Sequence, residues 1–329
     1  YGCRDLTVPA VANMKKIVYI SLSLLAAAAC RSQMDEEPFL HAITFVSSVD
    51  ATKVVPVTTS NIGDLDVMVM RAGTDNLYFA DVAARGESGL FDFSAPRYWL
   101  PGAALDFYSV AQSASVSNFS VSNGAVEFDY DATVAESDVV TAVTRDCRYT
   151  KDNRGVVPMR FRHALARVEF AVAYETDADG NKVSKISDGI YFTELALNGM
   201  ATTGHCSVLD GAASWTCGQI RDWTVRDFTS EGAEGLYVGR DIFAGDCINT
   251  QDRSKSFFVI PGQTLRKVRI SFVEGRPQPY EQEINVPQTL IEPGMCYVFD
   301  LAIKSNFVSL TGTRITPWMS GDSQEITMQ

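Results

Sequence analysis

FRHALARVEFAVAY, the stretch from Phe161 to Tyr174, decides the fold. Apolar and polar side chains alternate along its second half: one face would carry Val168, Phe170 and Val172, and the other would carry Arg167, Glu169 and Ala171. Successive side chains of a β-strand point to opposite faces of a sheet. The alternation therefore predicts a strand with one packed face and one solvated face.

The same period of two recurs from Phe39 onward. The runs that show it are those of Ile43, Phe45 and Val49; Leu65, Val67 and Val69; Phe91 and Phe93; Leu105 and Phe107; Val126, Phe128 and Tyr130; Val268, Ile270 and Phe272; and Tyr297, Phe299, Leu301 and Ile303. Short runs separated by Gly, Pro, Asn and Asp are typical of β-sandwiches. Because long helices do not separate the runs, we predict an all-β fold and exclude a parallel α/β sheet.

An export signal precedes these strands. Met14 to Ala29 combines two lysines with an apolar core and a run of alanines, and its apolar part is shorter than the ~20 residues of a membrane-spanning helix. Cys30 follows directly and resembles the lipidated cysteine of a bacterial lipobox. The alternative is ordinary cleavage near Ala28 or Ala29, which would leave Cys30 as a structural thiol. We expect residues 1–13 to lie upstream of the natural start, residues 14–29 to be the signal peptide and residues 30–38 to be a polar tether.

Size and charge restrict the classes of function. Removal of 29 residues from 329 leaves 300, which is enough for one large domain or two of about 150 residues. The formal net charge of −12 argues against nucleic acid as a partner, because nucleic-acid binding requires clustered Lys and Arg. An acidic exterior would keep an exported protein soluble.

The cysteines and histidines form no metal-binding pattern. Beyond Cys3 and Cys30, the cysteines are Cys147, Cys206, Cys217, Cys247 and Cys296. There is no CxxC, and His41, His163 and His205 do not add zinc-ligand spacing. Cys206 and Cys217 flank a turn, so they would form either a disulfide across a hairpin or two buried free thiols.

No catalytic motif is found. The sequence lacks GxSxG, HExxH, P-loop and GxGxxG patterns, so we expect neither an enzyme nor a bound cofactor. The tryptophans either pack in the core or form a sugar-stacking platform: Trp99, Trp215, Trp223 and Trp318. Residues 218–254 are expected to be mostly irregular, with at most one short helix, and loops of this kind often carry binding sites.

Seven segments, taken in order, resemble the fimbrillin family, the Mfa-like and type V pilin lipoproteins of Bacteroidetes. They are PRYWLPGAALDFYSV (96–110), SDVVTAV (137–143), MRFRHALARVEF (159–170), LALNGMATTG (195–204), FFVIPG (257–262), PGMCYVFDLAI (293–303) and ITPWMSG (315–321). The resemblance implies two tandem transthyretin-like antiparallel β-sandwich domains. Their predicted ranges are 39–165 and 166–329.

The resemblance also implies how the chain works. Such proteins are anchored in the outer membrane by a lipid, here at Cys30, and are exposed at the cell surface. A protease then cuts after a basic residue, here Lys53 where an arginine is typical, and releases the first strand with Ile43, Phe45 and Val49. A strand from another fimbrial subunit fills the vacated groove. The donor segment of this chain would contain Ile315, Trp318 and Ile326.

Two functions follow from these expectations. The first is a fimbrial subunit that assembles with copies of itself or with other subunits. The alternative is a surface lipoprotein that does not polymerise and binds a glycan or a host protein through loops of the C-terminal domain. The resemblance leaves open whether a fimbrial subunit would act at the tip, in the shaft or as an anchor.

Overall fold

The structure of the chain, a computed structural model, describes residues 41–49, 61–175, 177–179, 181, 190–229, 235–238, 256–273, 279–304, 307–318 and 326–327. These residues form an all-β protein, as predicted, and contain no α-helix. Consistent with this, no helix long and apolar enough to cross a membrane occurs among them.

Twenty-one strands follow one another along the chain. They are β1 (Thr44–Val49), β2 (Leu65–Arg71), β3 (Leu77–Arg85), β4 (Phe91–Phe93), β5 (Leu105–Ala111), β6 (Val116–Ser122), β7 (Ala125–Asp131), β8 (Val140–Cys147), β9 (Val156–His163), β10 (Ala166–Tyr174), β11 (Ile190–Asn198), β12 (Thr203–Leu209), β13 (Ala212–Cys217), β14 (Trp223–Asp227), β15 (Leu236–Val238), β16 (Phe257–Val259), β17 (Thr264–Val273), β18 (Tyr280–Leu290), β19 (Met295–Lys304), β20 (Phe307–Pro317) and β21 (Ile326–Thr327).

The first half of the chain forms a closed barrel. Its seven strands are hydrogen-bonded in the order β1-β4-β3-β2-β5-β8-β9, and β9 returns to β1. Alternate side chains of these strands fill the interior with aromatic and aliphatic groups, including Phe45, Phe91, Phe107 and Phe161. Closure leaves no unpaired edge within this sheet.

The second half contains two five-stranded sheets. One has the order β16-β10-β19-β20-β21, and the other has the order β14-β11-β17-β18 with β15 added beside β11. A single hydrophobic core lies between them, with Phe170 and Phe299 from the first sheet and Phe192 and Phe272 from the second. Two sheets that bury one face each against a common core form a sandwich.

A fourth sheet combines strands from both sides of the predicted boundary at residues 165 and 166. Its order is β13-β12-β7-β6, and β7 pairs with β12 in antiparallel register from Asp131↔Thr203 to Val126↔Val208. A third core cluster lies here, around Phe128, Tyr130 and Val208. The boundary itself stays a prediction.

Two expectations about strand pairing and exposure were wrong. β1 pairs with β9, and β10 pairs with β19, in parallel rather than antiparallel register. In addition, β10 is buried on both faces, since all but one of its nine residues are buried. Its polar residues Arg167 and Glu169 are only 4% and 8% exposed, and they form an ion pair of 3.0 Å. Alternation of apolar and polar residues indicates that the two faces of a strand differ in polarity. It does not identify the strands and sheets that pack around that strand.

Two further expectations concern local structure. Residues 218–254 were expected to be mostly irregular, yet β14 and β15 lie within them and pair with β11. Of the two alternatives for Cys206 and Cys217, the structure has the free thiols. Cys206 lies opposite Trp215 and Cys217 opposite Gly204, so the two cysteines do not face each other across the hairpin.

Candidate functional site

The first strand fills a slot in the barrel wall. On one side, all six residues of β1 are in parallel register with β9, from Thr44↔Val156 to Val49↔Phe161. On the other side, β1 meets β4 at Phe45↔Phe91. Because β1 is the strand that joins β4 to β9, the closed barrel depends on its presence.

The side chains of β1 and of the residue before it alternate between the barrel core and solvent. Ile43 and Phe45 are 1% and 0% exposed, whereas Val46 is 43% exposed. The Phe45 ring packs edge-on against Phe93 and Phe107, with centroid distances of 5.4 and 5.8 Å. Burial of such a side chain stabilises a fold by about 1.5–3 kcal/mol. β1 therefore contributes core side chains to the barrel as well as a backbone edge.

Hydrogen bonds hold the backbone at the start of β1 in place. The Ile43 N–H donates to the Arg97 carbonyl at 2.7 Å, and the Thr44 N–H donates to the Gly155 carbonyl at 3.2 Å. The Trp99 Nε1–H donates to the same Gly155 carbonyl at 3.3 Å. These bonds hold the entering backbone between two parts of the barrel wall.

Gly155 permits this close approach. Its φ is +86°, and a Cβ at this position would lie 2.5 Å from the Ala42 carbonyl oxygen. Any other residue would be strained by the backbone conformation and would collide with the entering strand. The part that Gly155 and Trp99 play in holding the start of the first strand was not predicted from the sequence.

The predicted donor segment is part of the C-terminal sandwich. β20 pairs along its length with β19, and Ile315 also pairs with Ile326 of β21. Trp318 is 2% exposed, and its ring stacks on His163 with a centroid distance of 3.9 Å and an interplanar angle of 1°. The backbone N–H of Trp318 donates to the Gly294 carbonyl at 2.6 Å. Ile315 and Trp318 are thus held in the fold of their own chain.

The outer edge of β20 is covered at two places. At Val308, the Gln282 side chain accepts a hydrogen bond from the backbone N–H at 2.8 Å and donates one to the backbone carbonyl. Farther along, β21 pairs with Arg314 and Ile315. Covering an edge in this way protects it from pairing with other chains.

A partly buried carboxylate connects the two halves of the chain. Glu136 accepts hydrogen bonds from the Arg226 guanidinium at 2.6 Å and from the Phe258 backbone N–H at 2.9 Å. Burial raises the pKa of the Glu136 carboxyl above its ordinary value, and both partners act in the opposite direction. The carboxylate thus fixes a loop of the first half against strands of the second.

Each tryptophan is engaged by groups of its own chain. Trp99 is buried in the barrel core, Trp215 donates from Nε1 to the Ala164 carbonyl at 2.8 Å, and the Arg269 guanidinium lies 4.6 Å from the Trp223 ring centroid. In the part of the chain that the structure describes, no cluster of three metal-ligating side chains occurs.

Several predicted positions lie outside the described residues. These are Cys30, Lys53, the signal peptide and the tether. For Val49 and Ile326 the structure gives only the strand pairing described above. Of the predicted first-strand residues, Ile43 and Phe45 do lie together in one core cluster.

Comparison with known proteins identifies relatives. A family model described as fimbrillin-like matches residues 52–318. Among solved structures, a candidate cell adhesion protein from Bacteroides uniformis has a TM-score of 0.51 and 15% identity, with 85% of this chain and 98% of that chain covered. Another from Bacteroides ovatus has a TM-score of 0.50 and 12% identity, with 85% and 99% covered. At these identities the two structures support the fold alone. No curated protein sequence matches the chain.

Proposed function

The chain belongs to the fimbrillin-like family, and from this premise we propose that it is a fimbrial or adhesion subunit of the cell surface that acquires a strand from a neighbouring subunit. The observation that carries the proposal is the position of β1. Its side chains complete the barrel core while its backbone pairs mainly with one neighbour, β9.

Loss of β1 would create a strong acceptor site. The backbone edge of β9 would lose six paired positions, and the pockets of Ile43 and Phe45 would open to solvent. An extended segment with apolar side chains at alternate positions satisfies both needs at once. Contacts of this head-to-tail type do not close on themselves, so they build a fibre.

The proposal includes export and anchoring. The signal peptide is removed, Cys30 receives the lipid and holds the precursor in the outer membrane, and cleavage after Lys53 frees β1. We also propose that the chain is organised as two tandem transthyretin-like sandwich domains, residues 39–165 and 166–329. The shared core of the two five-stranded sheets supports the second of them.

We propose that the donor segment is released from the C-terminal end of its own sandwich. Within the described part of the chain, β21, which contains Ile326, pairs with β20 at two positions, so its release disturbs little of the sandwich. Release of Ile315 and Trp318 would break the β19 pairing and expose a buried ring. We therefore place the first step of donation at Ile326, with Ile315 and Trp318 following only when β20 itself is displaced.

The experiment is a controlled cut in the folded chain. A specific protease site is introduced at Lys53, the full chain is folded and then cut, and the product is concentrated and analysed by SDS gel electrophoresis without boiling. The proposal predicts ladders after cleavage and a single species before it. A second cut chain that ends at Trp318 should form shorter ladders, because it lacks Ile326. A cut protein that stays monomeric at high concentration would contradict the proposal.

A further inference from the structure

The barrel also holds the chain just before β1. The Trp99 backbone N–H donates to the His41 carbonyl at 3.4 Å. The His41 imidazole stacks on the Tyr149 ring, with a centroid distance of 4.3 Å and an interplanar angle of 13°. Tyr149 in turn packs against the barrel core. The slot thus has a subsite for a planar side chain two residues before the buried Ile43.

The loop that carries Tyr149 is held in shape by Asn153. The Asn153 side-chain oxygen accepts hydrogen bonds from the backbone N–H groups of Thr150 and Gly155, each at 3.0 Å. The side-chain amide of Asn153 donates to the Arg148 carbonyl at 2.8 Å. These bonds lie within the loop between β8 and β9, so they do not depend on the first strand. The subsite is therefore preformed, which lowers the cost of binding a new segment there.

Five consecutive residues, from His41 to Phe45, define what the slot accepts. The first has a planar side chain that stacks on a tyrosine. The third, Ile43, and the fifth are buried in the barrel core. The fourth, Thr44, is β-branched, as strands favour, and the second is only partly buried. A segment that replaces them needs a planar residue, a variable one, an aliphatic one, a β-branched one and a large apolar one, in that order.

The same order of side chains occurs in QEITM, residues 324–328. Gln324 has a flat terminal amide at the first position. Ile326 and Thr327 repeat the residues of the third and fourth positions. Met328 stands at the fifth, where the pocket is lined by phenylalanine rings. A methionine adapts to irregular pockets, and its sulfur makes favourable contacts with aromatic rings.

The sequence contains one further Ile-Thr pair, Ile315 and Thr316, which fits the slot less well. Pro317 follows it, so a proline would stand where the slot accepts a large apolar side chain. All three residues are also paired with β19 along β20. Residues 324–328 therefore match the slot better than the preceding part of the C-terminal segment does.

We propose that the slot accepts residues 324–328 of a second copy of this chain. The segment runs in the same direction as β1, so that Gln324 lies on Tyr149 and Ile326 takes the place of Ile43. This inference rests on the proposed strand exchange and adds to it the identity of the partner and the register of the strand. Because donor and acceptor are the same chain, the assembly is a homopolymer.

The test uses the full chain with a protease site at Lys53 and the change Ile326→Asp, which keeps its own tail from competing because a buried charge opposes binding. After the cut, labelled peptides are added, and native mass spectrometry measures the fraction of chains that hold each one. The peptides are residues 322–329, the same peptide with Gln324→Ser, a scrambled version of it, and residues 41–53.

Three changes in the acceptor chain examine the stacking subsite. Tyr149→Leu removes the ring and keeps much of the volume, whereas Tyr149→Phe keeps the ring. Tyr98→Leu is the matched control, because Tyr98 is 43% exposed and forms a backbone bridge with Ala42 beside the same subsite. Thermal unfolding of each variant reports whether it is folded.

The peptide of residues 322–329 should occupy the slot in a saturable way, and the scrambled peptide should bind at least about tenfold more weakly. Both Gln324→Ser and Tyr149→Leu should weaken binding about threefold or more, as expected for a lost stacking contact. Binding should be unchanged in Tyr149→Phe and Tyr98→Leu.

Entry of residues 41–53 without entry of residues 322–329 would overturn this inference and leave the proposed strand exchange intact. Failure of both peptides to enter would contradict strand exchange itself. Equal binding of the scrambled peptide, or unchanged binding to Tyr149→Leu, would remove the assigned register. Ladders of unchanged length from the cut Ile326→Asp chain would show that another segment is the donor.

Discussion

Phe45 of β1 lies edge-on to Phe107 of β5, with ring centroids 5.8 Å apart and ring planes at 76°. The two rings meet in the barrel core, although their strands are not neighbours in the sheet. The first strand thus contributes both a backbone edge and a core side chain to one site. A segment that replaces it must supply both.

Replacement of Phe45 by alanine should strongly destabilise the barrel. Large-to-small changes at buried phenylalanines cost about 3–5 kcal/mol in unfolding free energy, because they remove apolar contacts and leave a cavity. Chemical denaturation of Phe45→Ala measures this loss. Val46→Ala on the same strand is the control and should change the free energy of unfolding by less than about 1 kcal/mol, since Val46 is 43% exposed. Equal effects of the two changes would contradict the placement of β1.

Replacement of Gly155 by alanine should displace the entering chain. The new Cβ would lie 2.5 Å from the Ala42 carbonyl oxygen, and the positive φ adds strain of about 1–3 kcal/mol. Hydrogen exchange of the Ile43 and Thr44 amides should become faster. Gly63→Ala is the matched control, because no atom lies within 4 Å of a Cβ there. Unchanged amide protection in Gly155→Ala would show that the close approach is not required.

Glu136 should make the free energy of unfolding decrease as the pH rises through the folded-state pKa of its carboxyl. Its folded-state pKa is raised by burial above the ordinary value of 4.5, so the folded state holds the proton more tightly than the unfolded state. The stability from this group is complete below pH 4.5 and is lost as the pH rises through the folded pKa. Glu136→Gln should remove this loss, as measured by denaturation at a series of pH values.

Asp227 provides a control of opposite sign for the Glu136 measurement. Hydrogen bonds from Thr229 hold the pKa of its carboxyl below the ordinary value, so its contribution is present above that value and is lost as the pH falls. Asp227→Asn should therefore change how the free energy of unfolding depends on pH only at acidic pH. If Glu136→Gln and Asp227→Asn shifted the profile in the same direction, the assignment of Glu136 would be wrong.

Cys206 and Cys217 should remain unpaired thiols and should react at different rates. Burial raises the pKa of both, and Cys206 is completely buried whereas Cys217 is half-buried. A thiol reagent should therefore label Cys217 first, and Cys206 only when the protein unfolds. Mass spectrometry of a digest made without reductant checks the pairing. A peptide linked through these two cysteines would contradict the structure.

Alternation predicted several of the strands and two inward residues of the first one. Ile43 and Phe45 were expected to share a face, and both are in the barrel core. The partner of β1 could not be predicted, because β9 begins more than 100 residues later and a parallel pair needs no local turn. For the same reason the role of Gly155 was missed, since only the passing strand makes its lack of a Cβ necessary.

The burial of β10 shows a second limit. Arg167 and Glu169 indicated a solvated face, but they form an ion pair of 3.0 Å with each other. The Ser256 hydroxyl also donates to Glu169 Oε1 at 3.1 Å. A sequence pattern treats charged residues as exposed and cannot show a partner that neutralises them. Residues His163 and Trp318 also appeared unrelated in the sequence, and their stacking arises only from the tertiary fold.

Replacement of residues 41–53 in the folded chain tests the central claim most directly. The full chain is cut at a protease site placed at Lys53 and is then incubated with an isotope-labelled peptide of residues 41–53, and native mass spectrometry follows the complex. The account predicts that labelled peptide enters the slot, that the original segment leaves, and that a labelled peptide with Phe45→Ala competes poorly. A cut chain that retains its original segment and never incorporates labelled peptide would contradict it.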